Sequence, residues 1–143
     1  MKTFVIDASS CLKWIFKDET DSEKALELQK LYLGEKIELV SPNIWVSEIA
    51  NGIKTAIIRD RVPINKCKIK LKQLLKSSPY LVNLEDEIET CLNNALIYRT
   101  SVYDSAYLTL AIMNKVPLIS SDTKLVKKID DPRIAIVLKD YKF

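Results

Sequence analysis

The sequence predicts an α/β fold built on a central, mainly parallel sheet with helices on both faces. Five short β-branched or apolar runs, Phe4–Ile6, Lys36–Val40, Tyr80–Leu84, Pro117–Ser120 and Ile134–Leu138, are spaced along the chain, and the stretches between them carry helical periodicity. Strand and helix therefore alternate from end to end. Consecutive strands joined through helices run parallel, and their right-handed crossovers cover the sheet. At 143 residues and 48% hydrophobic content the chain has the length and the apolar material for one domain, residues 1–143, with a real core.

The first strand ends at Asp7, and a helical segment follows over Ser10–Phe16. Thr20-Asp21-Ser22-Glu23 has the pattern of a capping box opening the helix that carries Ala25, Leu28, Leu31 and Tyr32. After the second strand, Ser41-Pro42 places a cap residue before a proline, which predicts a helix from there to about Arg59. Pro63 separates it from a lysine-studded amphipathic helix over Ile64–Leu75, which Ser77-Ser78-Pro79 ends. Glu85, Asp86, Glu87 and Glu89 crowd the first turn of the next helix, where the helix dipole favours them. The segment around Tyr103–Met113 is apolar almost all round and so predicts a buried helix, and Lys124–Ile129 predicts a last one.

Composition removes several chemistries. There is no histidine, so there is no imidazole base, no Ser-His-Asp triad and no His-ligated zinc. Cys11, Cys67 and Cys91 are odd in number, widely spaced and set in apolar patterns, which reads as small core residues of a reduced, cytoplasmic protein. The opening MKTFVIDASS has only Phe4–Ile6 as an apolar run, which is neither a signal peptide nor a membrane span. A net charge of +3 is mild, but does not repel a polyanion. Gly34 and Gly52 are the only glycines, too few for a phosphate-cradling loop.

Four acids remain: Asp7, Glu48, Asp104 and Asp122. Asp7 and Asp122 each follow a strand and open a helix, which suits a helix cap as well as a ligand site at the carboxyl end of a parallel sheet. Glu48 lies at the rim of the apolar arc of its helix, with Asn51 as a polar neighbour and with Gly52 marking close packing or close ligand approach. Asp104 sits in the first turn of the apolar helix, where a carboxylate needs a hydrogen bond, a cation or a proton. If the strands bearing Asp7 and Asp122 are neighbours, all four acids converge. Two carboxylates at about 4 Å repel by about 4 kcal/mol at an effective dielectric near 20, so a cation must offset them. Mg2+ or Mn2+ suits an all-oxygen donor set and the hydrolysis of a phosphodiester.

Four stretches, Val5-Ile6-Asp7-Ala8-Ser9 with Leu12-Lys13-Trp14, Ser47-Glu48-Ile49-Ala50-Asn51, Tyr103-Asp104-Ser105-Ala106-Tyr107-Leu108 and Leu118-Ile119-Ser120-Ser121-Asp122-Thr123-Lys124-Leu125, resemble in order and spacing the PIN domains, and among them the VapC-like toxins of toxin–antitoxin modules. The resemblance covers essentially the whole chain. It implies a three-layer α/β/α sandwich, an acidic pocket for Mg2+ or Mn2+, and endoribonuclease activity on single-stranded RNA regions. It also implies a homodimer and a cognate antitoxin as partners. By the same resemblance Asp7, Glu48, Asp104 and Asp122 are the catalytic and metal-holding acids, Glu48 acting directly or through water. Ser9, Asn51 and Ser120 match polar positions that support such carboxylates. Some relatives carry a further acid where this chain reads Lys124-Leu125-Val126-Lys127, which bears on a second metal. Lys13, Lys124, Lys127 and Lys128 lie near the motifs in sequence, as phosphate contacts or as solvated surface charge.

Two other readings are open. A phosphatase using Asp7 as nucleophile resembles Asp-x-Asp at the first strand, and here Ser9 stands in place of the second acid. A catalytically inactive scaffold of the same fold would bind RNA or a protein without cutting.

Overall fold

The computed structural model describes residues 1–143. Five strands, β1 (Lys2–Ile6), β2 (Ile37–Pro42), β3 (Tyr80–Val82), β4 (Leu118–Ser120) and β5 (Ala135–Val137), form one sheet in the order β3-β2-β1-β4-β5. Every pairing is parallel. Seven helices lie between and around them: α1 (Ala8–Leu12), α2 (Ser22–Leu33), α3 (Trp45–Ile58), α4 (Ile64–Lys76), α5 (Ile88–Tyr98), α6 (Val102–Asn114) and α7 (Thr123–Ile129). This is the three-layer α/β/α arrangement. Burial on both faces explains why the central strands are apolar without alternation: Phe4, Val5 and Ile6 of β1 and Leu118 and Ile119 of β4 are all inside.

The strand order has one consequence for function. The chain winds from β1 through β2 to β3, then returns to the far side of β1 to lay down β4 and β5. Adjacent strands β1 and β4 thus lead away in opposite directions, and the crevice beyond their carboxyl ends is the place where open α/β sheets bind ligands. Val5 pairs with Leu118 and Ile6 with Ile119, so Asp7 and Ser120 come next, side by side, at that crevice.

Four local expectations are corrected. Ser41 and Pro42 do not open a helix. They end β2, pairing with Leu81 and Val82, and the Ser41 hydroxyl donates to the Ile6 carbonyl, while α3 starts at Trp45. Proline is tolerated because it sits at the end of the strand. The capping box does not form either. Asp21 adopts a left-handed conformation with no side-chain cap bond, and the Ser22 hydroxyl donates back to the Lys17 carbonyl. The acids Glu85–Glu87 form a 3-10 turn, with α5 starting at Ile88. Helix α6 also buries less than its composition suggests: Tyr107, Leu108, Leu110 and Ala111 are inside, whereas Tyr103, Ile112 and Met113 face outward.

Gly52 is there for packing. A Cβ at this position would collide with Leu12 Cδ1, so the missing side chain lets α1 seat against α3. The three cysteines are buried and unpaired.

Candidate active site

Asp7 caps α1: one carboxylate oxygen accepts from the Ser10 amide at 3.0 Å, and the other accepts from the Ser120 hydroxyl. Ser120 in turn accepts from the Asp122 amide at 3.0 Å, so a single hydroxyl ties the turn after β1 to the turn after β4. Asp122 caps α7 through one oxygen, which accepts from the Lys124 and Leu125 amides. Asp104 sits in the first turn of α6, its amide donating to the Ser101 hydroxyl at 3.0 Å. The cap and the site readings of these acids are therefore compatible. These bonds engage both carboxylate oxygens of Asp7 and one of Asp122, and leave the second Asp122 oxygen without a hydrogen bond.

The electrostatics report convergence. Burial raises the Asp7 carboxyl, opposed by hydrogen bonds from Ser10 and Ser120. Glu48 is pushed up to about 7, first by burial and then by the charges of Asp104 and Asp7. Asp104 is raised by burial and by the charges of Asp122 and Asp7, with Lys128 acting in the opposite sense. Glu48 and Asp104 thus each feel two other acids. Glu48 and Asp104, with Ser9, Asn51 and Tyr103, line a cleft of about 530 Å3 that opens over the end of β1.

No three acidic side chains are gathered closely enough to enclose an ion in the arrangement observed. The donor set nevertheless suits a hard divalent cation. All of its members are oxygens, and Glu48 Oε1 is fully buried without a hydrogen-bond partner, an uncompensated acceptor on a residue that shares its cleft with Asp104.

The supporting residues divide. Ser120 touches Asp7 directly, and Ser9 reaches the Ser121 hydroxyl at 3.2 Å. Asn51 shares the cleft with Glu48 but leaves Glu48 Oε1 unsatisfied. Ser10 and Ser121 were not singled out in the sequence. The Ser121 amide donates to Ser10 Oγ at 3.2 Å, extending the hydroxyl chain between the two turns. Their one signal was position, each beside a selected serine. Tyr107 was also missed; it lies beneath the site with its hydroxyl buried and unpartnered, raised by burial and by the charges of Glu48 and Asp7.

The lysines do not act as a group. Lys13 is buried, donating to the Thr20 carbonyl at 2.6 Å and pairing with Glu19 at 3.5 Å, so it holds the α1–α2 connection and is no phosphate contact. Lys128 donates to the Arg99 carbonyl and still lends its charge to Asp104. Lys124 and Lys127 line a separate groove that also holds Asp130, Asp131 and Asp140.

Comparison with known proteins agrees with this layout. The sequence matches the PIN domain family over residues 4–131. The crystal structure of PAE2754 from Pyrobaculum aerophilum superposes with a TM-score of 0.71 at 19% identity, covering 96% of this chain and 92% of that one. No curated protein sequence matches the chain.

Proposed function

The chain belongs to the PIN domain family, and from that premise we propose that it is a metal-dependent endoribonuclease cutting single-stranded regions of RNA, the toxin of a toxin–antitoxin pair. PIN domains are typically nucleases and generally use divalent metal ions. One observation supports the finer reading most: in a chain without histidine, the charges of Asp104 and Asp7 add to burial in raising the proton affinity of Glu48, and those of Asp122 and Asp7 do the same for Asp104, at the switch point of a parallel sheet. Such an arrangement is costly by itself and is explained by a cation.

Asp7, Asp104 and Asp122 would hold Mg2+ or Mn2+, with Glu48 joining directly or through water. When bound, the ion supplies charge neutralisation at the phosphodiester and lowers the proton affinity of a water. The chain's own work is positional. Ser120 and the Ser10 amide lock Asp7 to one rotamer, the Asp122 cap locks the α7 turn, and Glu48, high in proton affinity, orients the attacking water or takes up its proton. Pairing of two copies is part of the proposal, supported by exposed apolar side chains on α3 and α4 such as Ile58, Ile64 and Ile69. An antitoxin partner rests on the family resemblance and a cytoplasmic setting on the three unpaired cysteines; no helix is long and apolar enough to cross a membrane.

The test is cleavage of a structured RNA pool by purified protein in Mn2+, Mg2+ or EDTA, beside Asp104→Asn. Cuts that need metal and vanish in the variant are expected. Cuts of equal strength in the variant, or none from the parent in any metal, would remove the proposal and favour the non-cleaving scaffold. Metal-free Asp104→Asn is expected to be as stable as the parent or more so, since the change removes repulsion.

A further inference from the structure

We propose that a small apolar pocket beside the carboxylate cleft is a subsite for one unpaired nucleobase of the RNA, with Tyr103 as its stacking face. The inference rests on the ribonuclease reading and specifies how substrate is gripped. Tyr103 is the residue next to Asp104, is 63% exposed, and is held on the first turn of α6 by the Ser101 cap. An aromatic ring that open, beside an acidic centre, is free to meet a ligand. Together with Ile44 it forms the wall shared by the acidic cleft and the neighbouring pocket. The pocket is therefore continuous with the place where the scissile phosphate would sit.

Its size and lining select the occupant. The pocket holds about 160 Å3 and is walled by Ile44, Ile88, Val102 and Ala106. That is room for one planar ring system, well below the roughly 300 Å3 at which sites for larger ligands begin. Two polar groups stand at its edge, Asn43 and Glu85. The Asn43 backbone amide is engaged by the Val82 carbonyl, whereas its side-chain amide makes no hydrogen bond within the chain. Glu85 is exposed, and its carboxylate can only accept, so it favours a base that offers an exocyclic amino group. Apolar walls, one aromatic face and a donor–acceptor edge are the components by which single-stranded RNA is held base by base. They favour cytosine, adenine or guanine, each with an exocyclic amino group, over uracil.

The experiment uses Asp104→Asn in Mn2+, so that RNA stays whole, and reads binding rather than cleavage. Single-stranded RNAs carrying one 5-iodocytidine or one 5-iodouridine are titrated and then photocrosslinked. Expected are a crosslink mapping to Tyr103, stronger with the cytidine probe, and affinity about tenfold weaker once Tyr103→Ala is added. Tyr103→Trp should restore binding, and Ala106→Leu, which fills the pocket from its wall, should weaken it as Tyr103→Ala does. Unchanged affinity in both Tyr103→Ala and Ala106→Leu, with crosslinks elsewhere, would overturn the subsite and leave RNA binding standing. Failure of Asp104→Asn to bind any RNA would overturn the subsite together with the ribonuclease reading. A switch in sedimentation from two copies to one on Tyr103→Ala would instead assign the pocket to an interface between copies. A retained melting temperature serves as the folding control for each variant.

Discussion

Ser120 contributes more to the site than any other uncharged residue, because one hydroxyl serves both Asp7 and the Asp122 amide. Ser120→Ala leaves a buried carboxylate oxygen and a backbone donor without partners, and should cost about 1–3 kcal/mol in urea unfolding while weakening Mn2+ binding by calorimetry. Loss of stability with metal affinity untouched would separate Ser120 from the site. Glu48 makes a different prediction. Its proton affinity in the folded chain, near 7, exceeds the ordinary value of 4.5, so between those pH values the folded state binds more protons than the unfolded one. Stability of the metal-free protein should then fall as pH climbs from about 4.5 to 7, and level off above. The raised Asp7 and Asp104 act in the same direction. Melting curves across that range check the slope, and Glu48→Gln should flatten it; a steepening would contradict the burial and repulsion assigned to Glu48.

Among elements, the junction of α1 with α3 is the one whose geometry depends on a missing atom. Gly52→Ala recovers about 1 kcal/mol of helix propensity but drives a methyl into Leu12, and overpacking of this kind costs typically 1–3 kcal/mol. Net destabilisation is expected, with a Leu12→Ala double-mutant cycle showing coupling of about 1 kcal/mol or more. Additive effects would mean that Leu12 yields freely. The same scale shows what the sequence disclosed. Strands were legible because their residues are buried on both faces and carry their apolar runs whole. Ser41-Pro42 misled because the dipeptide has the chemistry of a helix start, and only the pairing of β2 with β3 reveals it as a strand end. The Thr20–Glu23 capping pattern lost to tertiary contacts, with Lys13 taking the Thr20 carbonyl and Ser22 the Lys17 carbonyl. All four acids stood out one by one, since a histidine-free chain has few other groups for hydrolysis. Ser9 and Ser120 entered through the family resemblance, whereas Ser10 and Ser121 did not stand out, because their link exists only once β4 lies against β1, and strand order is not written in periodicity.

For the molecule as a whole, the proposed function makes the raised acids Asp7, Glu48 and Asp104 unfavourable charge that a bound cation would offset. Saturation with Mn2+ at about a hundred times its dissociation constant should add about 2.7 kcal/mol of stability, visible as a melting temperature raised by several degrees. Absence of any shift at millimolar metal, with all four acids intact, would count against the site. The sheet carries one more consequence. Its two outer strands, β3 and β5, are three residues each and are bounded by a 3-10 turn on their carboxyl sides. Borders this short give an incoming chain almost nothing to zip onto. Growth by strand addition, the route to fibrils and to sheet-swapped assemblies, is thereby disfavoured, and the pairing of copies proposed above would fall to the helical flanks, away from the strand ends that carry the acids.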